Sequence, residues 1–135
     1  MEQQLHTADP KTYSPLTLAF LGDVVYELMV REKLVAQGSR PAGELHRLAV
    51  GMVSATAQAS VYPAVEALLN EKELAILKRG RNANSTKAPK SCTVDEYRKA
   101  TALETLFGYL YMEGQIERVR ELYQVMESSL NTIGE

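Results

Sequence analysis

Two acidic side chains stand where acids are costly. Asp23 lies in the middle of residues 16–34, LTLAFLGDVVYELMVREKL, where Leu16, Leu18, Phe20, Leu21, Val24, Val25, Leu28 and Met29 are too widely spread for a single stripe. The helix they predict is apolar on nearly every face and therefore mostly buried. A carboxylate left unpaired inside such a helix pays the penalty of a buried ion, so its partner is either a basic side chain or a metal. Glu104 lies one residue beside the apolar stripe of a later helix, flanked by Leu103, Leu106 and Phe107, at the margin of the core. An ion pair with Arg98 or a neighbouring lysine would account for it without any chemistry.

The third chemical feature is cationic. Residues 78–99 carry seven basic side chains, Lys78, Arg79, Arg81, Lys87, Lys90, Arg98 and Lys99, against Asp95 and Glu96, so a whole-chain charge of −2 leaves −7 on the remainder. A basic segment on an acidic body suits one face that meets a polyanion while the rest stays solvated; a merely solvated charge run is the alternative.

The elements that must position these groups read as helices. Ser14-Pro15 opens the first, serine as the cap and proline at the first helical position, and Gly38 is its natural stop. Residues 42–53 place Leu45, Leu48, Ala49 and Met52 at helical spacing. Ser54 caps a third helix, with apolar positions running to Leu69, which Pro63 should kink or split. Asn70 with Glu73, and Thr93 with Glu96, form capping boxes for a helix carrying Leu74, Ile76 and Leu77 and for one carrying Tyr97, Ala100, Leu103, Leu106, Phe107 and Leu110, the latter ending at Gly114. Between these two, residues 82–92 read as an exposed loop. A terminal helix runs from Ile116 to about Leu130. No segment reads as a strand, and the fold class is all-α.

The chain of 135 residues predicts one domain, with a core over 14–130 and an irregular segment over 1–13, large enough to bury roughly two thirds of its unfolded surface. At 45% hydrophobic and 24% charged residues it matches ordinary globular usage, which excludes disorder and fibrous repeats. No apolar run reaches a membrane span and the N-terminus lacks the order of a secretory signal, so the expected location is cytoplasmic, with no membrane partner. Cys92 stands alone and only His6 and His46 accompany it, so neither a disulfide nor a zinc site of usual spacing is expected. Nothing decides between a surface and a partly buried setting for His46.

Phe20-Leu21-Gly22-Asp23, followed by Val24, Val25 and Tyr26, resembles the signature helix of the ribonuclease III family. Residues 102–111, ALETLFGYLY, resemble that family's second catalytic helix, with its metal-binding glutamate and its glycine in place. Two short matches in the right order carry the resemblance together. It implies that Asp23 and Glu104 are catalytic and hold Mg²⁺, with Mn²⁺ as a substitute; oxygen donors without a histidine or thiol cluster suit these ions better than zinc. Phosphodiester hydrolysis needs a hydroxide nucleophile and charge stabilisation on phosphate and leaving oxygen, which such an ion supplies.

The chain departs from the larger enzymes at Ala19 and Thr101, where they carry acids, and it shows no double-stranded-RNA-binding domain. These departures resemble the short branch called Mini-ribonuclease III. So do residues 78–83, KRGRNA, like that branch's basic RNA-contacting loop, and residues 53–58, VSATAQ, like its following-helix motif. The resemblance implies a homodimer that cuts both strands of double-stranded RNA, with Phe20 at the dimer interface; an ordinary core residue is the alternative for Phe20. Arg79, Arg81, Asn82, Lys87 and Lys90 would contact RNA, because A-form grooves expose phosphates and 2′-hydroxyls rather than base edges. The implied substrate is the 23S ribosomal RNA precursor, with assistance from a ribosomal protein left open.

Two other readings compete. One is a non-catalytic RNA-binding module on the same fold, favoured by the acids missing at 19 and 101. The other, an all-α nucleotide pyrophosphohydrolase, needs repeated helical acid pairs, and Asp23 with Glu27 has no adjoining pair.

Overall fold

The computed structural model describes residues 9–83 and 88–133. After a short 3₁₀ turn at Pro10–Thr12, six helices follow: α1 (Pro15–Ala36), α2 (Ala42–Val53), α3 (Ala55–Glu66), α4 (Glu71–Arg81), α5 (Val94–Met112) and α6 (Ile116–Ile133). No strand occurs among the described residues.

Local signals start the helices as their chemistry dictates. Ser14 Oγ accepts from Thr17 N–H at 3.1 Å and Ser54 Oγ from Ala57 N–H at 3.1 Å. Both capping boxes close reciprocally, Asn70 with Glu73 and Thr93 with Glu96, satisfying N–H groups that a helix start otherwise leaves bare. Pro63 does not split its helix into two elements: α3 runs through it and ends three residues later at Glu66, short of the expected Leu69. Pro10, in a segment expected to bury little, is buried.

The core forms around α5, whose longest shared surface is with α1 and which also packs against α3 and α4. Tyr26 of α1 meets Phe107 of α5 edge-on at 5.8 Å and Tyr123 of α6 at 5.7 Å. Leu18, Val25, Met29 and Val30 fill the same face of α1.

The opposite face of α1 differs from the sequence expectation. Leu16, Phe20, Val24 and Leu28, four residues apart, are 44%, 83%, 63% and 53% exposed, and Asp23 is exposed beside them. The helix is apolar all round, yet only one face enters this chain's core. Periodicity cannot tell a face buried within the chain from an apolar stripe that the chain alone leaves open. The penalty expected for a buried Asp23 does not arise, because water reaches it. Phe20 is not an ordinary core residue.

Candidate active site

The two carboxylates meet because two glycines let α1 and α5 touch backbone to backbone. A Cβ on Gly22 would lie 1.7 Å from the Glu104 carbonyl oxygen, and one on Gly108 would lie 2.0 Å from that of Leu18. Neither position can hold any other residue without pushing the helices apart. Asp23 follows Gly22 directly, and Glu104 is the residue whose backbone Gly22 touches, so the crossing delivers both side chains to one place.

Among the described residues Glu104 forms no ion pair, and its side-chain donor is a neutral amide. Gln58 of α3 donates Nε2–H to Glu104 Oε2 at 3.1 Å and to the Val53 carbonyl at 3.1 Å. Burial pushes the Glu104 carboxyl up to about 7, the Gln58 hydrogen bond pulls against that, and the adjacent Asp23 carboxylate raises it further. Two like charges therefore share a half-buried site supported by one neutral donor. Tyr26 lies close enough that Glu104, after burial itself and Tyr123, raises its phenol above the usual range; its hydroxyl donates to the Met52 carbonyl at 2.9 Å. The final carbonyls of α2, which a helix end leaves without intrahelical donors, are thus met by Tyr26 and Gln58. Gln58 went unnoticed as a site residue in the sequence, although it closes the VSATAQ stretch; a glutamine in an alanine-rich helix carries no signal of its own.

The basic residues lie at the end of α4 and beyond it. Arg79 is engaged within the chain, donating to the carbonyls of Lys11 at 3.3 Å and Tyr13 at 3.2 Å. Arg81 lies 3.8 Å from Asp95 and over the Tyr62 ring, 5.7 Å from its centroid. Asn82 ends α4 and is exposed, as is Lys90. Lys87 lies outside the described residues. His46 is exposed on α2.

Residues 16–115 match the Ribonuclease III domain. A Mini-ribonuclease 3 of Symbiobacterium thermophilum is 46% identical over 120 residues, covering 89% of this chain and 92% of that protein. One of Brevibacillus brevis is 45% identical over 124 residues, covering 92% of each. This chain belongs to the ribonuclease III family. Within it, the chain falls in the Mini-ribonuclease 3 branch, and a crystal structure of a protein from Fusobacterium nucleatum has the same fold, with TM-score 0.79 and 34% identity over 90% of this chain and 98% of that one. The family's enzymes are double-strand-specific endoribonucleases that depend on a divalent metal.

The donor set fits such an ion. Mg²⁺ binds through one or two carboxylates and keeps several of its waters or takes substrate phosphates, and a cation between Asp23 and Glu104 would offset both the burial that chiefly raises Glu104 and the lesser repulsion from Asp23. Ala19 and Thr101 are both buried, and no group of three or more metal-ligating side chains occurs among the described residues. No single described helix is long and apolar enough to cross a membrane.

Proposed function

We propose that this ribonuclease III-family chain is a Mg²⁺-dependent endoribonuclease that works in the cytoplasm as a homodimer, cuts both strands of double-stranded RNA and matures the ends of the 23S ribosomal RNA precursor. Asp23 and Glu104 are its catalytic metal ligands, and Mn²⁺ can replace Mg²⁺. The observation that carries this reading is the pairing of Asp23 with Glu104 at the glycine-lined crossing of α1 and α5.

Once bound, the ion supplies charge stabilisation for the phosphate and a water acidic enough to attack at neutral pH. The chain's own part is to hold and to orient. Asp23 offers its carboxylate from the solvent side, which leaves the site open to a phosphodiester, and Glu104 offers the second carboxylate from the half-buried side. Arg79, Arg81, Asn82, Lys87 and Lys90 would take the RNA backbone, with Arg79 exchanging its carbonyl partners for phosphate. The Leu16, Phe20, Val24 and Leu28 stripe supports the homodimer, with Phe20, the most exposed of the four, at its interface.

Incubating the full chain with a labelled RNA duplex, its DNA counterpart and a 23S precursor fragment, in Mg²⁺ and in EDTA, tests the reading. The expected result is Mg²⁺-dependent cleavage of both RNA strands, none of DNA, and ends on the precursor that match those of the mature RNA. The buried Ala19 and Thr101 favour one rival, a non-catalytic RNA-binding module; binding of duplex and precursor without cleavage would establish that rival instead.

A further inference from the structure

The amide of Gln58 is a polar group buried where an apolar one would ordinarily pack. The side chain is 1% exposed, its nitrogen is used twice, by Val53 O and Glu104 Oε2, each at 3.1 Å, and its Oε1 is buried without a partner. A flipped amide would set Oε1 against two acceptor oxygens, so the orientation is dictated by its neighbours. An apolar side chain of similar size would fill the space but would strand the Val53 carbonyl and Glu104 Oε2, so the amide is kept for its donor even though its own acceptor goes unmatched.

We propose that Gln58 is a positioning residue of the active site, which engages one oxygen of Glu104 and so leaves the other for the cation. This inference rests on the reading of Glu104 as a metal ligand. The geometry gives the amide nitrogen two tasks. The Val53 carbonyl, the last of α2, anchors the nitrogen at the α2–α3 junction, so the hydrogen bond to Glu104 is held by two helices other than its own. Outer residues that orient a metal-binding carboxylate in this way set metal affinity without touching the metal.

The test compares the full chain with Gln58→Met, Gln58→Leu and Glu104→Gln. Mn²⁺ binding is titrated in the absence of RNA by the electron paramagnetic resonance of the free ion, thermal unfolding is followed in EDTA, and kcat and KM on an RNA duplex are measured across Mg²⁺ concentrations. Gln58→Met removes one unmatched acceptor but strands the Val53 carbonyl and Glu104 Oε2, so its unfolding temperature in EDTA sets the range in which it and the original chain are compared while both are folded. It should bind Mn²⁺ about 10- to 100-fold more weakly, with kcat lowered at limiting Mg²⁺, recovered at high Mg²⁺, and KM for RNA unchanged. Unchanged Mn²⁺ affinity in both position-58 variants, alongside its loss in Glu104→Gln, would overturn the role of Gln58 and leave the ligand assignment intact. Unchanged affinity in Glu104→Gln would overturn the ligand assignment and this inference with it.

Discussion

Glu73 is closed off by Arg118, which donates Nε–H to one carboxylate oxygen at 2.9 Å and Nη2–H to the other at 2.8 Å, while Glu104 has one neutral amide and a second carboxylate for company. Both belong to the same helical core, yet their environments are opposite. For Glu73, burial favours the neutral acid, but the Arg118 hydrogen bonds and the Asn70 backbone N–H outweigh it and hold the carboxyl below its usual range. For Glu104, burial dominates, Gln58 offsets only part of it, and Asp23 adds to it, so the carboxyl rises to about 7. The first glutamate is complete within the chain and ties α4 to α6. The second is left short of positive charge, and that deficit marks a carboxylate arranged for something the chain does not itself provide.

The sharpest break of this contrast is Asp23→Asn, which removes half of the proposed ligand set without touching the core. Cleavage should fall by at least about a thousandfold, roughly 4 kcal/mol of barrier, while a gel-shift assay shows duplex binding retained. Cleavage at the original rate would remove Asp23 from the chemistry.

Next in size is Glu73→Gln. Arg118 keeps Glu121 and the Leu68 carbonyl, so losing its charged hydrogen bonds to Glu73 should cost about 2 kcal/mol of folding stability, read from urea unfolding, with the rate per folded molecule unchanged. A loss of rate at full stability would show that the two glutamates are not separable in this way.

The third prediction uses pH to set them directly against each other. Glu73 has a lowered pKa, so its stabilisation is present above the ordinary carboxylate value and is lost as pH falls through its folded value. Glu104 has a raised one, so its stabilisation is present below the ordinary value of 4.5 and is lost as pH rises towards about 7. In EDTA, Glu104→Gln should therefore unfold at a higher temperature than the original chain at pH 8 and show little advantage at pH 4, whereas Glu73→Gln should be the less stable at both. Equal melting temperatures for Glu104→Gln and the original chain at pH 8 would mean that the carboxylate pair is not strained.

The smallest expected effect concerns cations that, unlike Arg118, are loosely held. Arg81 and Asp95 are both well exposed and 3.8 Å apart, a pair worth little, so Arg81 is available to phosphate; Arg79 would have to leave two carbonyls. Replacing both by alanine should weaken duplex binding about tenfold and lower the salt slope by roughly 2, about one per phosphate contact. An unchanged slope would show the charge run to be merely solvated.

Much of this was legible in the residues themselves. Ser14, Ser54, Asn70 and Thr93 act on N–H groups three residues away, and such short-range chemistry is written in the order of the chain. The same locality made the Phe20-Leu21-Gly22-Asp23 and Leu103-Glu104 stretches recognisable. It misled where the answer lay across space. The even spread of apolar residues along α1 suggests burial on most faces, but Phe20, Val24 and Leu28 stay exposed among the described residues. Asp23 is solvated rather than enclosed, and Pro63 sits within α3 without dividing it.

Helix starts, the all-α class and the identity of the two carboxylates thus belong to the sequence, because caps, periodicity and side-chain chemistry operate over a few residues. That Asp23 and Glu104 face each other, that Gln58 donates to Glu104, and that Glu73 is neutralised while Glu104 is not were decided only when α1, α3, α5 and α6 packed. Residues dozens of positions apart acquire their electric surroundings from whichever backbones can approach, and here that approach depends on the missing side chains of Gly22 and Gly108.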